Sequence, residues 1–219
     1  MSRETTPERL IARLSDELAP VRPLAALRRQ VLAVAATGAL CALGVALWLG
    51  LHPFDVLSRG AFSAALAGAL ALVAGGGVLL ALAARIPGRE PLAKAAGAGA
   101  VVGLAVVAAL CLVAAASRGV GSADPLVPCS ERSLFLALPI ALCVGALALR
   151  GAPWRPGITG LAAAVGASAA GGLLIHLSCP SPSLWHWLIA HALAPLLVGT
   201  LGGVGLAAFF RRAAASAHE

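Results

Sequence analysis

Two cysteines and three histidines stand out against a background of alanine, leucine, glycine and valine. Cys179 lies in the stretch His176-Leu177-Ser178-Cys179-Pro180-Ser181-Pro182-Ser183-Leu184-Trp185-His186, a short polar break between two long apolar runs; Cys129, beside Pro128, lies in an earlier break. His191 follows His186 in the last apolar run. Thiolates favour zinc-like and softer cations and imidazole suits the same metals, so Cys129, Cys179, His176 and His186 are candidate ligands of a soft metal ion. The same two thiols, facing an oxidising compartment, can instead form a disulfide. They can also stay inert, with the histidines hydrogen-bonded to backbone or water. Residue types alone leave all three open.

Cys41, Cys111 and Cys143 fall inside apolar runs, where a free cysteine packs as a small hydrophobe. A thiol oxidoreductase would want a Cys-x-x-Cys pair. The chain has none, nor a P-loop, a His-Glu-x-x-His or a Gly-x-Ser-x-Gly sequence, so no catalytic residue and no enzymatic activity are expected. A proton-coupled transporter needs ionisable groups at membrane depth. Only His176, His186 and His191 come near, all toward one end.

The elements that must position these residues are membrane helices. Sixty per cent of the chain is apolar and 11% charged, with a mean hydropathy of +0.93, whereas soluble domains carry about 25% charged residues. Six apolar runs, Val31 to Leu51, Ala61 to Ala84, Ala96 to Ser117, Ser133 to Leu149, Gly157 to Leu177 and Leu184 to Phe210, contain no Asp, Glu, Lys or Arg. Each is near the roughly 20 residues needed to cross a bilayer core. No short apolar core with a cleavage site precedes the first run, which is expected to be retained. The fold class expected is all-α, a polytopic membrane protein of six transmembrane helices.

Orientation follows from the basic residues. With the N-terminus in the cytoplasm, the inner segments hold Arg3, Arg9, Arg13, Arg22, Arg28, Arg29, Arg85, Arg89, Lys94, Arg150, Arg155, Arg211 and Arg212, and the outer ones only Arg59, Arg118 and Arg132. The positive-inside rule then places both termini in the cytoplasm and Cys129 and Cys179 outside. The net charge of +7 is scattered through these short segments, a pattern of topology rather than of direct nucleic-acid binding. Trp48, Trp185 and Trp187 are expected at the outer interface and Trp154 at the inner one. Gly99 with Gly103, and Gly199 with Gly203, have the spacing that lets membrane helices approach closely.

Three regions result: a cytoplasmic N-terminal segment, 1–29; a six-helix membrane domain, 30–210; and a short cytoplasmic tail, 211–219. Thr5-Thr6-Pro7-Glu8 reads as a helix start, and Pro20 and Pro23 stop that helix. Leu10, Ile11, Leu14 and Leu18 share one face of it. A helix of about three turns is marginal alone, so this stripe is expected to bind a protein partner or the lipid bilayer.

Over nearly its whole length the chain resembles the NrsF-like membrane anti-sigma factors. The features that carry the resemblance are a Pro-Val-x-Pro-Leu element at Pro20-Val21-Arg22-Pro23-Leu24 and Gly151-Ala152-Pro153 followed by Pro156 and Gly160. Cys179-Pro180 in the last outer break and Cys129 in the one before complete it. The family's Trp-His pair is matched less closely, Trp185-His186 coming early and His191 late. The resemblance implies a regulator in the bacterial inner membrane that holds an extracytoplasmic-function sigma factor through its N-terminal segment. It also implies release of that partner when the outer cysteine pair, Cys129 and Cys179, meets metal or redox stress. No cofactor is expected to be required, and a soft metal ion can bind at that pair. A different class, a small-solute permease or membrane enzyme whose N-terminal helix lies on the lipid surface, is the alternative.

Overall fold

Long apolar runs can satisfy their backbone in hydrocarbon only as helices or closed barrels, and this chain takes the helical solution. The computed structural model describes residues 9, 11, 15, 25–49, 59–117, 126–150 and 155–216. Its elements are α1 (Leu27–Trp48), α2 (Ala61–Ala83), α3 (Glu90–Ala116), α4 (Leu126–Leu149) and α5 (Pro156–His176). The last, α6, is one continuous helical stretch in three parts: an α turn (Leu184–His186), a π segment (Trp187–Leu193) and an α-helix (Ala194–Ser216). Among the described residues six helices are long and apolar enough to cross a membrane.

Local chemistry sets the helix ends. Gly60 precedes α2 with φ of +94° and Gly88 turns the chain between α2 and α3 with φ of +79°, conformations that a Cβ disfavours. Pro91 and Pro156 sit in the first turns of α3 and α5, where a missing N–H costs nothing. Against expectation, α4 begins at Leu126 rather than at Ser133. Cys129 is therefore held on a helix and not in a loop. The polar residues of this first stretch are absorbed locally: Ser130 and Ser133 donate back to the carbonyls of Leu126 and Cys129 at 3.1 and 2.9 Å. The Arg132 guanidinium lies 5.4 Å from the centre of the Trp48 ring of α1, a cation–π contact that lets a charge sit at the end of a span.

The bundle is built around α5. It packs against α2, α4 and α6, while α3 lies on the far side of α2 and α1 leans chiefly on α4. Helices as apolar as these gain by close backbone approach, and the small residues of α5 make room for it. A Cβ at Gly166 would meet the backbone of Gly77 and Val78 in α2, and one at Gly171 would run into the Ser133 carbonyl of α4. Gly199 and Gly203 both face α5, as their spacing predicts; of the pair in the third span, Gly103 meets α2 and Gly99 has nothing within 4 Å of its Cβ position. Leu66, Leu70 and Val73 of α2 form one core with Trp187, Leu188 and Leu196 of α6.

Trp187 departs from its expected place. It is 2% exposed, donating from Nε1 to the Ser181 carbonyl at 2.7 Å, so the loop supplies the partner that a buried indole needs. Trp48 is exposed and Trp185 half-buried. Of the N-terminal stripe, Ile11 is helical and 63% exposed. Leu10, Leu14, Leu18, the 20–24 element, the 151–153 element and Trp154 lie outside the described residues.

Candidate metal centre

The site forms where the start of α4, the end of α5, the loop 177–183 and the start of α6 converge. Its decisive local feature is the π segment. At 3.6 residues per turn, side chains five apart on an α-helix point about 140° away from each other. The wider i→i+5 turn brings them back toward one face. The sequence cause is Pro195, whose missing N–H and ring are incompatible with an ordinary helical bond to the carbonyl four residues earlier, that of His191. The preceding N–H, of Ala194, accordingly donates to Ile189, five residues back. Gly172 of α5 leaves space for the displaced His191 carbonyl, which a Cβ there would overlap. As a result His186 and His191 stack edge to face, with ring centres 5.1 Å apart.

Cys179 is placed by the loop. Arg59 Nη1 donates to its carbonyl at 2.6 Å, and Ser178 Oγ ties the preceding residue to the Leu174 carbonyl at 3.1 Å. Ser183 caps α6, its Oγ accepting from the His186 N–H at 3.3 Å. The Cys179 Sγ lies 3.4 Å from His186 Nε2. One ligand atom from each of Cys129, Cys179, His186 and His191 lies within 4.8 Å of all the others, a grouping that can hold a metal ion. Cys179, His186 and His191 are buried and Cys129 half-buried. Neither cysteine is in a disulfide in this structure. The hydrogen bond with Cys129, and after it burial, pushes the Cys179 thiol up to about 11. A cleft of about 250 Å³ lined by Leu49, Cys129, Arg132, Ile175, Ser178, Cys179 and Pro180 lies beside the group.

Three of the four residues expected as ligands, Cys129, Cys179 and His186, are thus brought together, and His191 completes the group. His176 stands beside it. Its Nε2 is 3.1 Å from Ser63 Oγ and 3.2 Å from the Ser63 carbonyl of α2, and its Nδ1 is 3.3 Å from His191 Nδ1. Spacing from Cys179 favours His176; the signal for His191 is Pro195, four residues on. His186 Nδ1 and His191 Nε2 are buried without a hydrogen-bond partner.

Comparison with known proteins agrees with the sequence resemblance. A family model described as NrsF, Negative regulator of sigma F, matches residues 14–211. A segment of 76 residues is 38% identical to the Anti-sigma-F factor NrsF of Caulobacter vibrioides, covering 34% of this chain and 35% of that protein. The alignment spans about a third of that relative's length. No solved structure matches.

Proposed function

Because the chain belongs to the NrsF family, negative regulators of sigma F, we propose that it is a membrane anti-sigma factor that holds an extracytoplasmic-function sigma factor at the cytoplasmic face of the bacterial inner membrane. The observation that carries this proposal is the family match, which runs from Leu14 through the last apolar helix. Six helices with the length and composition of membrane spans support insertion. The excess of arginine on the segments opposite the cysteines supports cytoplasmic termini. For the partner surface we propose Leu10, Ile11, Leu14 and Leu18. Ile11, helical and largely exposed, has the presentation such an anchor requires.

We further propose that the Cys129–Cys179 end is the responding end, through metal binding or oxidation. The packing offers a route to the partner surface. Cys129 and Arg132 occupy the first turns of α4, and α4 is the chief support of α1. Arg132 rests on Trp48 at the same end of α1, and Cys41 of α1 approaches the Leu136 carbonyl of α4 at 4.0 Å. A displacement of the α4 start is therefore passed to α1, which leads back to the N-terminal segment. Moving a two-state regulator from 1:99 to 99:1 requires about 5.5 kcal/mol of differential stabilisation, within reach of one metal site formed from two thiolates.

The test is co-purification with the sigma factor. A carboxylate at Leu14 would enter an apolar groove, so Leu14→Asp should cost about 2–4 kcal/mol, a loss of roughly 30- to 700-fold in affinity. Undiminished capture by Leu14→Asp would assign the stripe to the lipid surface.

A further inference from the structure

We propose that Cys129, Cys179, His186 and His191 form one four-coordinate site for a zinc-class divalent cation, and that His176 is its positioning residue, linking the site to α2. This deepens the assignment of the cysteine end as the responding end: it names the ligand class and adds two histidine ligands to the cysteine pair. Oxidation to a disulfide, by contrast, would use the sulfurs alone and leave the two imidazoles without a role.

The geometry supports four-coordination. With metal–sulfur bonds of about 2.3 Å and metal–nitrogen bonds of about 2.0–2.1 Å, the edges of a tetrahedral site with two of each run from about 3.3 to 3.8 Å. The Cys179 Sγ to His186 Nε2 separation of 3.4 Å already fits one edge. No pair among the four ligand atoms exceeds 4.8 Å, so closure takes a contraction of about 1.5 Å at most. The donor set also selects the ion. It contains no carboxylate or carbonyl, which disfavours magnesium, calcium and manganese, and its two imidazoles beside two sulfurs suit tetrahedral zinc, cadmium or cobalt. As the two metal–sulfur bonds form, the two thiol protons leave to solvent. The bound site, one divalent ion with two thiolates and two neutral imidazoles, then carries no net charge, the state that burial penalises least.

The hydrogen bonds around His191 fix its free nitrogen. A carbonyl can only accept, so the contact to the Ser63 carbonyl at 3.2 Å puts the His176 proton on Nε2. The neutral ring then presents Nδ1 as an acceptor, and His191 Nδ1, 3.3 Å away, must be the donor. That leaves His191 Nε2 as a bare lone pair, and this is one of the buried nitrogens with no partner. His176, His186 and His191 are 0%, 2% and 0% exposed, so no bulk water competes for that lone pair. Metal-bound histidines characteristically spend their other nitrogen in this way, and loss of such a support costs 10- to 100-fold in metal affinity. Here the support runs from His191 through His176 to the backbone of α2.

The experiment uses the full-length reduced protein in detergent, titrated with Co²⁺ and separately with Cd²⁺, with no sigma factor present. One equivalent of Co²⁺ should give the intense visible bands of tetrahedral cobalt together with thiolate charge-transfer absorption. His186→Ala and His191→Ala should weaken binding and alter the visible bands while keeping thiolate absorption; circular dichroism confirms the fold, and His191→Gln serves where alanine loosens the bundle. His176→Leu should weaken binding by about 10- to 100-fold without changing the ligand-field pattern. His176→Asn, whose carbonyl oxygen can accept from His191 Nδ1, should restore most of it, a rescue that mere space filling would not produce. Failure to bind either metal, a six-coordinate cobalt spectrum, or parental spectra in both histidine variants would overturn the site, and equal weakening by leucine and asparagine would overturn the role of His176. None of these outcomes bears on sigma-factor capture, which Leu14→Asp tests separately.

Discussion

Substituting Gly172 by alanine probes the contact on which the site depends. The added Cβ would overlap the His191 carbonyl, with the His191 carbonyl carbon at 3.2 Å and Pro195 Cγ at 3.8 Å also close. The obstacle is backbone, which cannot swing aside as a side-chain tip can. Restoring ordinary van der Waals separation requires α6 to retreat from α5 by about 1 Å. Overpacking of this kind costs about 1–3 kcal/mol. The displacement also falls on His191, whose ring is a ligand in the proposed site, where tolerance is about 0.5 Å. Charged entirely to the assembled site, the penalty corresponds to a loss of about 5- to 150-fold in Cd²⁺ affinity. The assay is competition with a chromophoric chelator on the detergent-solubilised protein, beside a thermal melt followed by tryptophan fluorescence. Gly99→Ala is the control. Nothing lies within 4 Å of its Cβ position, and removing a helix-interior glycine should gain about 0.5–1 kcal/mol. If Gly172→Ala melts and binds Cd²⁺ like the parent, α5 and α6 do not meet at this point and Gly172 does not accommodate the π segment.

Two further outcomes are expected. Trp187→Phe keeps a ring against His176, 5.5 Å away between centres, but removes the donor to the Ser181 carbonyl at 2.7 Å; the melt should show a loss of about 1–3 kcal/mol, and an unchanged melt would mean that the Ser181 carbonyl is satisfied in another way. With its thiol held up to about 11, Cys179 stays protonated at neutral pH, and since the thiolate is the nucleophile its alkylation, followed by peptide mass spectrometry, should rise about tenfold per pH unit until that value is approached. Cys129→Ala removes the first cause of the upward shift and should speed alkylation of Cys179 at pH 8; a rate insensitive to both pH and Cys129 would refute the pairing of the two thiols.

The six apolar helices were legible in the sequence because a bilayer imposes a length of about 20 residues and forbids unpaired backbone, constraints that composition alone reveals. The cysteines of interest were legible too, since Cys129 and Cys179 are the ones outside the apolar runs. The start of α4 was not. Glu131 and Arg132 read as a break, and only the placement of α1 puts Trp48 where the Arg132 guanidinium can rest on it. Trp187 and Trp185, two residues apart, look equally interfacial, and their separation into core and half-buried positions depends on which carbonyl the loop offers. The exchange of His176 for His191 among the grouped ligands has the same origin. Spacing along the chain favours His176, three residues before Cys179, but its nitrogens are taken by Ser63 and His191. His191 turns toward the thiols because Pro195 opens the helix and Gly172 leaves room for the carbonyl so displaced. Spans and their order are properties of one stretch of chain at a time and can be read from it. A four-ligand cluster drawn from α4, a loop and α6 depends on helix register and on contacts between helices, which only the packed bundle decides.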